Sequence, residues 1–500
     1  MTRSTLEPLV DADRPSSASI GASQRVSSVS PFPGCGSGIP SAIPCGRRAI
    51  TRTLGAVGIT QVLSLAITFV TTIVVSRWLE PTGRGAFILA LLIVQTVTLL
   101  LDFGLPGTTM TFLLRREYPV QSIVCNSFTL ALARICLSLI TVSAVWLSWG
   151  KFHVMGRHGL LLVAGICAAD LLLLLIKNVL FGEGHMRRWA SLEIGVAASF
   201  MLLIGTSWVF SIGGGALYVL TLYLAVRLVG LVFAAAAIRR LVRPRLRFER
   251  PVIRAMLKFG FRNMLNNITW ALGPRVDMYV VSATLPAAAL GIYSVATGMA
   301  DKMLSVMYTI PTGLYRFQAT TDNADHRLEK LSARALRISI VLGLAMTVGV
   351  LALASLVIPF FFGSAYTPAV APLMILSMSA VIAIGFHIFG GYITGYLMKP
   401  EIRAGFGVLL VVVNAGANLL LVPRLGIIGA ALATLLSTVV VFVPFAWYFS
   451  RLTGLTIREL LLPGRQDIRT IIGSLRKAID DCRLKIVGTA KTQGTQRETQ

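Results

Sequence analysis

The chain of 500 residues is 55% hydrophobic and only 13% charged, with a mean hydropathy of +0.76, which excludes a soluble globular protein and points to a polytopic membrane protein. Its formal charge of +25 invites a nucleic-acid reading, but that needs a basic face on a soluble fold or tail, and here the basic residues flank apolar stretches. Six cysteines (Cys35, Cys45, Cys125, Cys136, Cys167 and Cys482) form no CxxC pair and no Cys/His cluster, so neither a metal site nor a disulfide framework is expected.

Residues 1–50 are rich in Ser, Pro, Gly and Arg and lack an apolar run near Met1. They read as a disordered cytoplasmic tail, with the first span acting as an uncleaved insertion signal. Windows of the length a bilayer needs then fall at about 53–76, 86–105, 121–149, 159–181, 191–212 and 215–238. Six more follow at about 257–284, 287–313, 335–358, 370–392, 403–423 and 426–449. Gly213-Gly214-Gly215 marks a tight turn between the fifth and sixth, and Pro359 and Pro368 bracket the link between the ninth and tenth. The expected fold is all-α, with about twelve transmembrane helices in two six-helix lobes at 51–240 and 257–450, separated by a basic cytoplasmic linker at 241–256. In the basic tail 451–500, Ile468, Ile471, Ile472, Leu475, Ile479 and Cys482 recur at helical spacing within Arg465–Leu484, the pattern of an amphipathic helix on the membrane surface.

The loops alternate in charge. One side carries Arg115 and Arg116, Arg187 and Arg188, the arginine-rich linker, then Arg316, Arg327, Lys330 and Arg334, and Lys399 with Arg403. The other side has only Arg77, Arg84, Lys151, Arg157 and Arg424. The positive-inside rule therefore puts both termini in the cytoplasm, and an even number of spans gives the same answer. Most loop cations are then topology determinants beside anionic lipid headgroups.

Arg134, Lys177, Arg227, Arg262, Arg275 and Lys302 are different, because each lies inside an apolar stretch. A cation in hydrocarbon costs at least about 2.5–3.5 kcal/mol on insertion scales, so such residues usually face a cavity or a partner. Several together imply a positively charged interior that holds something negative. Arg134, Asp170 and Arg227 fall near mid-depth and are expected to form one buried cluster, with a substrate or cation pathway through Arg134 and Arg227 as the alternative, while Lys177 sits near an end and could snorkel. Arg275 lies two residues from Asp277, and Lys302 follows Asp301, so local charge pairing competes with a cavity role for each. Arg262, Asn266 and Trp270 share a helix face, beside Asn263 and Asn267. Amides and an indole suit sugar rings, and equally suit helix–helix contacts. Gly273-Pro274 is expected to break that helix. Asn414 and Asn418 read as helix–helix bonding, and His387 is weak evidence for a proton step.

The two halves echo one another. Gly85, Phe87 and Ala90 recur as Gly291, Tyr293 and Ala296, a constant offset of 206 residues (291 − 85), with a third echo at Leu425-Gly426-Ile427-Ile428-Gly429-Ala430-Ala431. Small residues at these places let helices approach closely, and a parallel repeat places a substrate site between the lobes near the midplane.

Leu79…Gly83-Arg84-Gly85-Ala86-Phe87 followed by Asp102-Phe103-Gly104-Leu105 resembles the opening of bacterial polysaccharide-biosynthesis membrane proteins, the lipid-linked oligosaccharide flippases of Wzx type in the multidrug/oligosaccharidyl-lipid/polysaccharide exporter superfamily. Arg275-Val276-Asp277-Met278-Tyr279, then Gly291-Ile292-Tyr293-Ser294-Val295-Ala296, resembles the start of that family's second half, and Asn418…Pro423-Arg424-Leu425-Gly426 its penultimate-helix ending. The likeness covers about residues 51–450, in order, while the N-terminal tail departs from the usual pattern. It implies a MATE-like V of two lobes in the bacterial inner membrane and alternating-access transport of an undecaprenyl-diphosphate-linked glycan to the periplasmic leaflet. It also implies that Arg262, Arg275 and Lys302 help line the central cavity, where a guanidinium fork suits a diphosphate.

A polysaccharide polymerase and chain-length proteins are possible partners on this reading. No catalytic triad, metal motif or phosphate-binding loop occurs, so no cofactor and no enzymatic activity are expected. The rivals are a cation-coupled multidrug antiporter, which needs a carboxylate that the first span lacks, a membrane-embedded glycosyltransferase, and a lipid II flippase for peptidoglycan.

Overall fold

The computed structural model describes residues 47–116, 118–148, 156–239, 248–308, 310, 311, 314, 327–397 and 399–462, with the side chains of 47–59, 61, 115, 262, 263 and 327 outside the description. The expected N-terminal tail and the expected amphipathic helix at 465–484 lie outside the described residues.

Every regular element among the described residues is helical. In chain order they are α1 (Arg47–Leu100), α2 (Leu105–Arg115), α3 (Val120–Ser148), α4 (Gly156–Gly182), α5 (Met186–Val209), α6 (Gly215–Arg239), α7 (Arg250–Leu272), α8 (Val276–Thr284), α9 (Ala287–Met307), α10 (Arg327–Phe362), α11 (Val370–Gly391), α12 (Pro400–Thr453) and α13 (Ile457–Leu461). Short 3-10 turns at Gly273–Arg275 and Ser364–Ala369 and a π-turn at Tyr392–Tyr396 join them. In hydrocarbon every backbone polar group needs an internal partner, and helices supply it within each segment.

Among the described residues, eight helices are long and apolar enough to cross a membrane. Two of these, α1 and α12, are each a pair of helices joined at one non-helical residue, Glu80 (φ 54°) before Pro81 and Gly426 (φ 62°). Each therefore holds two of the expected windows. The windows at 257–284 and 287–313 fall on more polar elements: α7 with α8, broken at Gly273-Pro274 as expected, and α9 with Asp301 and Lys302. The fifth and sixth helices turn on Gly213 (φ 74°) and Gly215 (φ 81°), as the glycine triplet predicts.

Three apolar clusters organise the interior. One joins α2 to α6 with the start of α7, through Leu113, Ile123, Val179, Leu180 and Met256. A second belongs to α9–α13, around Phe386, Phe389, Phe445 and Phe449, with Phe389 and Phe449 stacked at 3.9 Å. The third crosses between the halves, from Phe87 and Ala90 to Tyr293, Val295, Ala296 and Tyr366. Exposed Leu202, Val232, Phe233, Val348, Leu356 and Leu420 lie outward, where acyl chains replace water.

Candidate substrate site

The two halves meet along a seam built on glycine. Gly85 lies against the backbone of Ala287, and Gly291 lies against Pro81 and the nitrogen of Gly85, so a Cβ on either would collide with main chain. These are the two repeat glycines. The echo read in the sequence is thus a physical contact between its own copies, with Phe87, Tyr293, Ala90 and Ala296 all buried around it. A second close approach sits where the chain breaks between α1 and α2: Gly104 (φ 66°) packs on Gly260 of α7. Between them the Tyr279 hydroxyl of α8 donates to the Leu92 carbonyl at 3.0 Å and meets Thr96.

Arg84 holds the first contact closed. It is 3% exposed, and its Nε donates to Ser294 Oγ at 2.8 Å, while Nη1 donates to the Thr72 carbonyl at 3.2 Å and to Ser76. The Tyr366 hydroxyl donates to the Ser76 carbonyl at 2.9 Å, and Arg77 donates to the Phe361 carbonyl at 2.8 Å and to Phe360. Arg84 and Arg77 looked like sparse loop charges in the sequence. The fold turns Arg84 inward and lays the exposed Arg77 onto the other half.

The remaining seam cations come from α8 and α9. Arg275 leaves the 3-10 turn that Pro274 forces and pairs with Asp301 through Nη2 at 2.8 Å, not with Asp277. Residues i and i+2 point to opposite sides of a helix, so the neighbour in sequence is not the neighbour in space. Asp277 faces inward instead, 1% exposed, and accepts from the Met278 amide (2.7 Å), the Tyr293 hydroxyl (2.5 Å) and Thr434 Oγ1 (3.2 Å). Arg275 and Asp301 keep 31% and 43% side-chain exposure, open to an incoming ligand. Lys302 has no carboxylate within ion-pair distance among the described residues. Its ammonium lies 6.0 Å from the Phe69 ring of α1 and 3.5 Å from the Gly298 carbonyl.

The cations of the N-terminal half are satisfied locally. Arg134 does not join Asp170 and Arg227, as expected; its Nη2 lies 3.4 Å from Asp102, and its Nε donates at 2.5 Å to the Leu101 carbonyl. That carbonyl stands at the α1–α2 break, where helix bonding stops. Arg227 does meet Asp170, at 3.1 Å, an ion pair by distance whose Nε–H is not aligned for a hydrogen bond, and its guanidinium also contacts Tyr223. Lys177 pairs with Glu193 at 2.5 Å rather than snorkelling. The single expected cluster is therefore two pairs, Arg134 with Asp102 and Arg227 with Asp170.

On α7, the Arg262 side chain lies outside the described residues. Asn266 is 8% exposed, and its Oδ1 has no hydrogen-bond partner. Trp270 packs on Phe386, donates to the Arg403 carbonyl at 3.3 Å and lies under the Arg403 guanidinium at 4.9 Å. Asn414 donates to the Gly273 carbonyl at the helix break (3.4 Å), the helix-joining role expected of it, whereas Asn418 donates within its own helix to the Asn414 carbonyl (2.9 Å). His387 Nδ1 meets the Tyr308 hydroxyl at 2.5 Å. No group of three or more His, Cys, Asp or Glu residues among the described residues is placed to hold a metal.

With this geometry the chain was compared with known proteins. The polysaccharide biosynthesis protein family matches residues 74–371, more than half the chain. The chain belongs to this family. A relative in Haloferax volcanii, a probable low-salt glycan biosynthesis flippase, is 22% identical over 413 residues, covering 78% of this chain and 83% of its own. Among solved structures, the lipid II flippase MurJ in its inward closed conformation superposes with a TM-score of 0.66 at 13% identity, over 80% of this chain and 87% of that one. An inward-facing multidrug resistance MATE family transporter superposes at 0.63 and 16% identity, over 81% and 99%. Both likenesses establish the MATE-like fold, and with the apolar helices they make this polysaccharide biosynthesis protein a multi-pass membrane protein.

Proposed function

We propose that this protein is a flippase that moves an undecaprenyl-diphosphate-linked oligosaccharide repeat unit from the cytoplasmic to the periplasmic leaflet of the inner membrane, for surface polysaccharide assembly. It is a transporter and not an enzyme. The observation that carries this reading is the charged group at the seam, Lys302 together with the Arg275–Asp301 pair, in a chain of the polysaccharide biosynthesis family. Lys302 offers an ammonium with no carboxylate partner, and the exposed Arg275–Asp301 pair offers a guanidinium that a diphosphate can take over bidentately. Arg262, Asn266 and Trp270 stand on the preceding helix as candidates for the head and its sugars. Arg134 and Arg227 instead hold the N-terminal half together.

Both termini face the cytoplasm on this account, and the twelve spans form two lobes. The diphosphate enters while the Arg84 contact is closed and leaves when the lobes rock it open, with the polyprenyl tail remaining in lipid. Moving negative charge out of an inside-negative cell is favoured by about 2.3 kcal/mol per charge per 100 mV, so the membrane potential can drive export. The polymerase and chain-length proteins would take the product.

The test is deletion of the gene in its own host, scoring surface polysaccharide and the leaflet that holds lipid-linked repeat units. Loss of polymer with cytoplasm-facing intermediates supports the proposal. Unchanged polymer with altered drug sensitivity supports a multidrug antiporter, and arrested peptidoglycan synthesis supports a lipid II flippase.

A further inference from the structure

An apolar trough lies between α5 and α6, away from the seam. It encloses about 470 Å³, within the range of small-ligand pockets, and is floored by Leu180, Leu192, Val196, Val226 and Ala234. Arg188, Ser191, Gly195 and Ser199 follow one another along α5 at spacings of three and four residues, forming a single wall. Gly195 opens that wall, since a Cβ there would meet nothing within 4 Å. Gly230 opposite seats the Val196 side chain and lets the two helices close beneath the trough.

One charged group enters this apolar space. Arg188 lines the trough in the first turn of α5, and its Nη1 is buried without a hydrogen-bond partner among the described residues. The nearby carboxylates are already engaged: Glu183 pairs with Arg116 at 2.9 Å, and Glu193 pairs with Lys177 at 2.5 Å. A buried guanidinium nitrogen without a partner in an apolar setting is costly, and an oxyanion relieves that cost. The helix N-terminus adds partial positive charge at the same place.

The dimensions fit a lipid. From Arg188 to Ser199 the helix rises about 16 Å, roughly half the hydrocarbon thickness of a bilayer. The cation therefore stands at one membrane face, and the trough runs one leaflet deep.

We infer that the α5–α6 trough is a binding site for one anionic phospholipid, with its phosphate on Arg188 and an acyl chain laid past Gly195 toward Ser199. The bound lipid completes the outer wall of the N-terminal half, where α5 otherwise packs only on one side. The site is distinct from the seam and does not depend on which glycan is carried.

The test is native mass spectrometry of the full chain released from nanodiscs, with phosphatidylglycerol or phosphatidylcholine as the probe. The wild type should retain one phosphatidylglycerol in preference to phosphatidylcholine. Arg188→Gln should weaken retention by about tenfold or more, the expected loss of a charge-assisted hydrogen-bond pair. Gly195→Leu, whose Cβ meets no heavy atom within 4 Å and whose isobutyl group occupies the trough, should do the same, while Arg187→Gln on the exposed neighbour should not. Equal retention in Arg188→Gln and Gly195→Leu overturns the inference. So does displacement of the lipid by inorganic phosphate alone, which would mean a bare anion site, displacement by a polyprenyl phosphate in preference to phospholipid, or occupation of the trough by a second copy of the chain.

Discussion

The cations within the N-terminal half and the cations of the seam are both drawn into the membrane interior, yet they are satisfied in opposite ways. Arg134, Lys177 and Arg227 each meet a carboxylate from their own half: Asp102, Glu193 and Asp170. Arg84 meets only hydroxyls and carbonyls, with Ser294 contributed by the other half, and Lys302 meets a ring and a carbonyl. A carboxylate partner held in the interior neutralises a cation, so those pairs are internal struts, whereas the more exposed Arg275–Asp301 pair of the seam can exchange its carboxylate for a ligand. A neutral partner leaves the charge intact. Arg84 can therefore release its contacts when the halves separate, and Lys302 can accept an anion.

The largest effect is expected from breaking a strut. Asp170→Ala leaves Arg227 buried without its counter-charge, at a cost on the order of 3–5 kcal/mol, and thermal unfolding in detergent together with membrane yield should fall. The Asp170→Asn, Arg227→Gln double variant should recover most of the loss, because no unpaired charge remains. Arg84→Met ranks next. It removes three hydrogen bonds from a charged donor, so about 2 kcal/mol or more of seam closure should be lost, read as faster maleimide labelling of a cysteine introduced at the buried seam residue Ala296. Gly291→Ala drives a methyl group into the Pro81 carbonyl and should cost about 1–3 kcal/mol by the same labelling readout, whereas Gly298→Ala, with open space around it, should not.

The smallest effect lies outside the spans. Thr456 and Glu459 form a capping box at the start of α13, and the hydrogen bonds from Thr456 hold the Glu459 carboxyl below its usual range. A depressed value means that the stabilisation is present at neutral pH and is lost as pH falls through the folded-state value. Amide exchange over 456–461 should therefore rise in acid, and Glu459→Gln, which removes the titrating carboxyl, should abolish that pH dependence.

The helices were legible in the sequence, because apolar length alone specifies them in a bilayer. So were the break at Gly273-Pro274 and the tight turn at Gly213–Gly215, since proline lacks a donor and glycine permits positive φ. The partners of the buried cations were harder to read. Asp277 and Asp301 are the nearest carboxylates in sequence to Arg275 and Lys302, but the helix turns Asp277 toward Tyr293 and Thr434 and gives Asp301 to Arg275. Arg134 finds Asp102 because the helix breaks at Phe103 (φ 47°) and Gly104, a backbone feature with no charge signal. Arg84 was hidden by its place in a short loop, where charge counting assigns a side of the membrane but not a direction. Its nearness to Gly85 in the repeat was the available clue, since a residue beside a helix–helix contact faces that contact.

The most direct test is the leaflet distribution of lipid-linked repeat units in cells whose only copy carries Lys302→Ala, with membrane insertion checked in parallel. Removing the unneutralised seam cation should leave the protein inserted and thermally stable while export falls by about tenfold, and repeat units should accumulate facing the cytoplasm. Full export by an Lys302→Ala protein, at normal levels of insertion, would contradict the account.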